Sequence, residues 1–386
     1  MKIALIGSGV SSGGLVSMLS EFLSYHPGKG IEVSLFCSDE FLHQYPGIHP
    51  DIKVQLTDAL TETKRSGLLS LSYRDVFIKQ INEYNPDVVF YITGSSKNGL
   101  ELYNSYIVLN NQLYTNYCKI FKQRSLKVSL TTFVFALKFR QRAKKISHIF
   151  FSSEYSYRES SVVLPINDYK IVSFACNSNF YVDKSISGQE IKNTVELLNI
   201  GSIIPYKNQL VVIDALKVLK EKGIDFRLTF IGKKLSKGYY KDCITKIKMY
   251  DLDERIDFIE WLPQKGIIEK IDSCDIFINS SDTDTCATAV EEGMARCKPV
   301  IASDTPFNRE MVRDGGLYFS LDEPSMLADA IIKYINDADF RNVMAIKGYE
   351  LSKKWTLKDT ARAYYDKIIS DALNNKKRGS SGFSVN

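Results

Sequence analysis

Three charged side chains in the second half of the chain have the type and placement to hold an anionic, hydroxyl-rich ligand. Asp284 and Glu292 stand eight positions apart in the stretch SSDTDTCATAVEEGMARCKPVIASD, and Lys207 lies in NIGSIIPYKNQLVVIDAL. A lysine at the entry to a helix is unfavourable beside the positive end of the helix dipole, so its placement needs a reason. An ammonium held over a diphosphate at the carboxyl end of a sheet supplies one. The small residues Thr285, Cys286, Ala287 and Thr288 can open a helix. The first amides of such a helix have no partner within it and can take a phosphate. Glu292 falls about one turn inside that helix, where a carboxylate can accept two hydrogen bonds from a diol. Its neighbour Glu291 is expected to face solvent. The plainer reading is that these acids complement a helix start and that Lys207 is solvated.

A further candidate is the glycine-rich GSGVSSGG, residues 7–14. Glycines let the backbone approach a ligand, and the following helix start offers free N–H groups. The stretch departs from G-x-G-x-x-G at Ser12, and Asp39 lies too far along for the usual ribose contact. A loop touching a ligand is therefore expected rather than a dinucleotide site, with a tight packing turn as the alternative.

The elements that must position these residues are legible as apolar runs alternating with amphipathic stretches, the pattern of α/β units on a parallel sheet. In the first half, strands are expected at 2–6, 31–37, 87–93, 149–152 and 171–174. The polar stretch DKSISGQEIKN, 183–193, is read as a linker. The pattern then restarts, with strands expected at 195–200, 226–231, 256–258, 276–279 and 298–302 and helices between them. Two Rossmann-like halves follow, spanning 1–185 and 194–356, with a cleft between them where ligands usually bind. A helix over about 357–373 should pack back on the first half, and the polar tail 376–386 should fray.

Composition narrows the function classes. The chain has 386 residues, 44% of them hydrophobic and 25% charged, and a formal charge of +5. That charge is too mild to point to nucleic acid. The seven cysteines are odd in number and contain no CxxC pair, which fits reduced thiols in a cytoplasmic protein. His26, His43, His49 and His148 show no metal-ligand spacing, so no metal is expected. No run of about 18 apolar residues predicts a membrane span. Between Glu101 and Glu154 there is no acidic residue, and segment 119–145 interleaves lysine and arginine with aromatic and aliphatic side chains. It reads either as a peripheral contact with anionic membrane at the inner face or as a solvated helical face.

Taken together, VEEGMARCKPVIASDTPFNREMV resembles the nucleotide-sugar signature of retaining glycosyltransferases of family 4. That signature has two glutamates separated by seven residues, then a small-Met-Ala stretch, Pro-Val-Ile-Ala and Ser/Thr-Asp with a further Glu. Glu292-Gly293-Met294-Ala295, Pro299 to Asp304 and Glu310 match it. The likeness extends over the second half through the loop at Gly201–Lys207, the strand end Phe230–Lys234, the segment Phe258–Pro263 and Trp355-Thr356. In the first half it is carried by Gly13-Gly14, Ser152–Glu154 and Asn177.

The resemblance implies a GT-B fold and transfer of a hexose, with retention, from a UDP- or GDP-sugar to a glycan or lipid-linked acceptor. Polysaccharide biosynthesis is the implied setting, and no metal is needed. It implies that Lys207 binds the donor diphosphate, Glu292 the ribose and Asp284 the transferred sugar. The amides around Thr285, Cys286, Ala287 and Thr288 would face the phosphates. Gly13 and Gly14 would lie between donor phosphate and acceptor, and Leu262 near the base. Three departures stand out. Asp284 replaces a glutamate, and Ser202 stands where the family has an arginine, with Lys233 or Lys234 as the available substitute cation. The first half also has no histidine at the strand end where the family often places one. A sugar-nucleotide epimerase of the same fold, or an inactive nucleotide-sugar-binding protein, is the alternative.

Overall fold

A computed structural model shows how these elements are arranged. It describes residues 1–7, 14–45, 47–57, 68–92, 105–109, 146–162, 164, 166, 168–173, 175–182, 190–191, 193–284 and 288–377. The chain divides into two compact units, Met1–Phe174 with Leu357–Asn386, and Ala175–Thr356.

The first unit carries seven parallel strands: β1 (Lys2–Gly7), β2 (Glu32–Cys37), β3 (Ile52–Leu56), β4 (Val88–Tyr91), β5 (Ser105–Leu109), β6 (Ile146–Phe151) and β7 (Tyr169–Ile171). Their order is β3-β2-β1-β4-β5-β6-β7. Helices α1 (Gly14–Leu23), α2 (Asp39–Gln44), α3 (Leu68–Tyr84) and α4 (Glu154–Ser161) join them. The inner strands are apolar runs because both faces of a parallel sheet are covered. β1 and β2, for example, each bury five consecutive residues. Gly7 ends β1 where the Phe41 ring presses in, since a Cβ there would lie 2.6 Å from it.

The second unit repeats the plan with six strands: β8 (Val195–Ile200), β9 (Phe226–Ile231), β10 (Ile256–Ile259), β11 (Ile276–Asn279), β12 (Val300–Ser303) and β13 (Leu317–Phe319). The order is β10-β9-β8-β11-β12-β13, again parallel throughout. The connections are α5 (Gln209–Glu221), α6 (Lys237–Met249), α7 (Gln264–Ser273), α8 (Thr288–Ala295) and α9 (Pro306–Val312), followed by α10 (Pro324–Asn336) and α11 (Ala338–Ser352). Val212, Leu216, Leu228, Phe230, Ile278, Ile301 and Ile331 are among the side chains that close this core. The chain leaves β8 for β9 on one side and later places β11 on the other. The carboxyl ends of β8 and β11 thus flank a topological switch point, where open α/β sheets bind their ligands.

The last helix, α12 (Leu357–Lys377), belongs to the first unit. Phe22 of α1 stacks on Tyr365 with ring centroids 5.3 Å apart. The Thr360 hydroxyl donates to the Ser173 carbonyl at 2.7 Å, and the Tyr106 hydroxyl to Asp371 at 2.9 Å.

Three expectations need correction. The first unit ends at 174 rather than 185, because Ala175–Val182 is bonded into the second unit. Tyr181 donates to the Ser352 carbonyl at 2.9 Å, and Asn179 donates to Gln264 at 3.0 Å. Strands β3, β5 and β13 were not expected. β3 is an exposed edge strand, IKVQL, with only Ile52 buried, so it lacks the apolar run used to find the others. Finally, α12 continues to Lys377, past the expected onset of fraying, while 378–386 lies outside the described residues.

Candidate functional site

Both loops at the switch point are shaped by the sequence beneath them. After β8 the chain turns through Gly201-Ser202 into a short 3₁₀ turn, Pro205–Lys207, and Asn208 takes a left-handed conformation (φ 50°, ψ 39°) before α5 begins. Asparagine tolerates that region better than most residues. The aliphatic stem of Lys207 runs over Gly201, where a Cβ would lie 3.4 Å from its Cδ. Gly232, after β9, comes closer still: a Cβ there would lie 2.1 Å from the Gly201 carbonyl oxygen. Ile203 N–H donates to the Lys233 carbonyl at 2.9 Å and locks the two loops together.

After β11 a buried polar network fixes the acid-bearing loop. Asn199 donates to the Ile278 carbonyl at 2.9 Å and to Ser280 Oγ at 3.3 Å, and Ser280 donates in turn to the Lys207 carbonyl at 2.7 Å. Asn279 donates to Asn308 at 2.8 Å, while the Ser281 hydroxyl donates to Asn279 at 3.0 Å. Asn308 also donates to Ser303 Oγ at 2.8 Å, and Ser303 donates to the Ser281 carbonyl at 2.5 Å. The Asp282 N–H reaches the Tyr206 carbonyl at 2.8 Å. Buried amides and hydroxyls joined this fully rigidify a loop, because an unmade bond in such a site is expensive.

The consequence is that Lys207 and Asp284, 77 residues apart, meet: Nζ lies 2.5 Å from Oδ2, and the two side chains are only 18% and 20% exposed. Glu292 sits on the neighbouring helix α8, four residues past its start at Thr288. Gly293 lets that helix lie on the sheet, since a Cβ would come within 2.9 Å of the Phe277 ring. Glu292 is buried, and burial alone pushes its carboxyl up to about 8.

Glu291 does not simply face solvent as expected. Its Oε2 is buried without a hydrogen-bond partner, and burial, reinforced by the Glu292 charge, raises its carboxyl well above the ordinary range. Cys176 senses both acids, its thiol pushed above the ordinary range by burial first and then by Glu291. A Val-Glu-Glu-Gly sequence in a helix packed on a sheet is the signal that could have revealed a second sheltered acid.

The remaining candidates divide. Ser202 is half-buried, and its carbonyl accepts from Gln209 at 3.0 Å. Lys233 is exposed, whereas the Lys234 ammonium lies 4.3 Å from the centre of the Tyr240 ring. Leu262 is half-buried beside Gly266, and Trp261 is 67% exposed. Gly14 opens α1. Gly13, Thr285, Cys286, Ala287 and the basic segment 119–145 lie outside the described residues.

In the first unit, His148 is buried within β6, and its Nδ1 stands 2.8 Å from Asp168. Asp371 is close enough to complete a three-ligand group, but the Lys367 ammonium stands 3.1 Å from each aspartate and already supplies the cation. Among the described residues, no helix is long and apolar enough to cross a membrane.

Comparison with known proteins bears on the family likeness and the fold. Residues 183–351 match the model of the family described as glycosyl transferases group 1. An uncharacterized glycosyltransferase of Methanocaldococcus jannaschii is 31% identical over 164 residues, 41% of this chain and 43% of that protein. The matched stretch thus spans less than half the length of this curated relative. Among solved structures, Anabaena HepE in complex with UDP-glucose superposes with a TM-score of 0.72 at 17% identity, covering 96% of this chain and all of that one. Sucrose-phosphate synthase from Thermosynechococcus elongatus gives 0.72 at 14% identity, covering 97% and 99%. Two parallel-sheet Rossmann-like domains and these neighbours make the fold GT-B, and the glycosyl transferases group 1 match falls on the unit that holds Lys207, Asp284 and Glu292.

Proposed function

We propose that this protein is a retaining glycosyltransferase that moves a hexose from a UDP- or GDP-sugar to a hydroxyl of a glycan or lipid-linked acceptor in cell-surface polysaccharide synthesis. The observation that carries the reading is the pairing of Lys207 with Asp284 at the switch point of the second sheet, with Glu292 buried on the helix that follows. The family match over residues 183–351 and the UDP-glucose complex of a neighbour of the same fold support it.

In this reading Lys207 and the amides at Thr285 to Thr288 meet the charge that grows on the leaving diphosphate. Glu292 holds the ribose diol, Asp284 a hydroxyl of the transferred sugar, and Leu262 lies near the base. Lys233 is the exposed cation available where Ser202 replaces the family's arginine. Gly13 and Gly14 face the acceptor side. The acceptor hydroxyl attacks the face from which the diphosphate departs, and a diphosphate oxygen takes its proton. No side-chain nucleophile is required, and no metal is assigned a role. The protein contributes positioning and fixed charge. The basic segment 119–145 would hold the enzyme against the inner face of an anionic membrane.

Incubation with a panel of UDP-, GDP- and ADP-sugars tests this. Slow release of free nucleoside diphosphate, abolished by Lys207→Ala, is the expected result. Tight binding without turnover, even with acceptors supplied, would instead make the protein a nucleotide-sugar-binding member of the same fold.

A further inference from the structure

Lys207, the cation assigned to the donor diphosphate, is already engaged. Its ammonium and Asp284 form a close ion pair, and both side chains are about four-fifths buried. The pair is built in rather than a chance surface contact. Three hydrogen bonds hold its two loops together: Ser280 Oγ on the Lys207 carbonyl, Asp282 N–H on the Tyr206 carbonyl, and Asn199 Nδ2 on Ser280 Oγ. Gly232 and Gly201 close the floor beneath the lysine stem. These bonds fix where the two loops stand and leave the side chains to make or break the pair.

We propose that this pair is a latch on Lys207, and that through it Asp284 distinguishes a nucleoside diphosphate carrying a sugar from one without. The inference rests on the donor-site reading above. A diphosphate can recruit Lys207 only by drawing it from Asp284. The carboxylate then gives up this cation while four-fifths buried, which is unfavourable. If the ligand carries a sugar, a sugar hydroxyl donates to the freed carboxylate and offsets that loss. A bare nucleoside diphosphate offers nothing in return. Donor binding is thereby favoured over product binding. Re-formation of the Lys207–Asp284 pair after transfer displaces the spent diphosphate.

The test is calorimetric titration of UDP, GDP and ADP, each bare and as its hexose derivative, into wild type, Asp284→Asn, Asp284→Ala, Lys207→Gln and the Lys207→Gln/Asp284→Asn double variant. With whichever base binds, Asp284→Asn and Asp284→Ala should bind the bare diphosphate about tenfold more tightly than wild type. The same changes should weaken or leave unchanged the binding of the sugar-bearing form, so that discrimination collapses. In the Lys207→Gln background, Asp284→Asn should no longer tighten the bare diphosphate. Two aspartate variants and a check of the circular dichroism spectrum separate these effects from misfolding. Unchanged affinity of both folded aspartate variants for the bare diphosphate would overturn the latch. Equal tightening of bare and sugar-bearing forms would overturn the discrimination. A wild type that binds neither form would instead defeat the donor-site reading on which the proposal stands.

Discussion

Gly232 and Gly201 approach so closely that a single added carbon on Gly232 would lie 2.1 Å from the Gly201 carbonyl oxygen. No relaxation of a flexible side chain can relieve that contact, because the obstacle is backbone. Gly232→Ala should therefore force the loops after β8 and β9 apart and lower stability by about 1–3 kcal/mol, as overpacking does. Urea denaturation measures the loss. Wild-type stability in the variant would show that the loops part without cost.

Lys207→Ala removes the cation at the centre of the site. A charge-assisted contact of ~1.5–3 kcal/mol corresponds to at least about a tenfold fall in transfer rate. Undiminished activity would remove Lys207 from the diphosphate.

Glu292 gives the site a pH signature. Burial raises its carboxyl to about 8, so the native state keeps a proton that the unfolded chain has already released. Stability on this account is full below the ordinary carboxyl range and falls as pH rises through about 8. Donor affinity should rise over the same interval, because the ionised carboxylate accepts two hydrogen bonds from a diol. Urea midpoints and donor titrations at pH 6 and 9 read both trends; Glu292→Gln should flatten the affinity trend and reduce the stability trend, to which the sheltered Glu291 also contributes.

His148 predicts the opposite slope in the first unit. Burial lowers its pKa despite the raising influence of Asp168, while Lys367 and Asp371 also face it. The native state holds it neutral where the unfolded chain would protonate. Its contribution is therefore present above the ordinary histidine value and is lost as pH falls below about 6.5. Thermal unfolding between pH 7 and 5 should show this loss, with His148→Gln reducing it.

Asn308→Ala would strip Asn279 and Ser303 of their buried partner. An unsatisfied buried amide costs about 1–3 kcal/mol, and the loop bearing Asp284 should loosen with it. A fall in stability together with weaker donor binding is expected. Unchanged donor affinity would uncouple the network from the site.

The acids and the lysine could be picked out before any fold was known, because position 292, the Gly-Met-Ala that follows and the buried Pro-Val-Ile-Ala run together form a pattern. The inner strands were legible for an equally local reason: a strand covered on both faces must be apolar throughout, as β8, β11 and β12 are. The edge strand β3 escaped because its exposed side chains carry no such constraint. Asn199, Asn279 and Asn308 escaped because an asparagine's partners lie on distant segments. Only the packing of β8 beside β11, and of α9 against the end of β11, shows what each one bonds.

Amino-acid sequence by itself therefore determined the α/β class and the two-unit plan, and it singled out Lys207, Asp284 and Glu292 as candidates. Tertiary structure decided that Lys207 and Asp284 neutralise one another, that Glu291 is sheltered rather than solvated, and that Ala175–Val182 belongs to the second unit. The reason is physical. Periodicity and residue type report on burial along one element, whereas pairing, desolvation and shared protons depend on atoms that distant segments bring within a few ångströms.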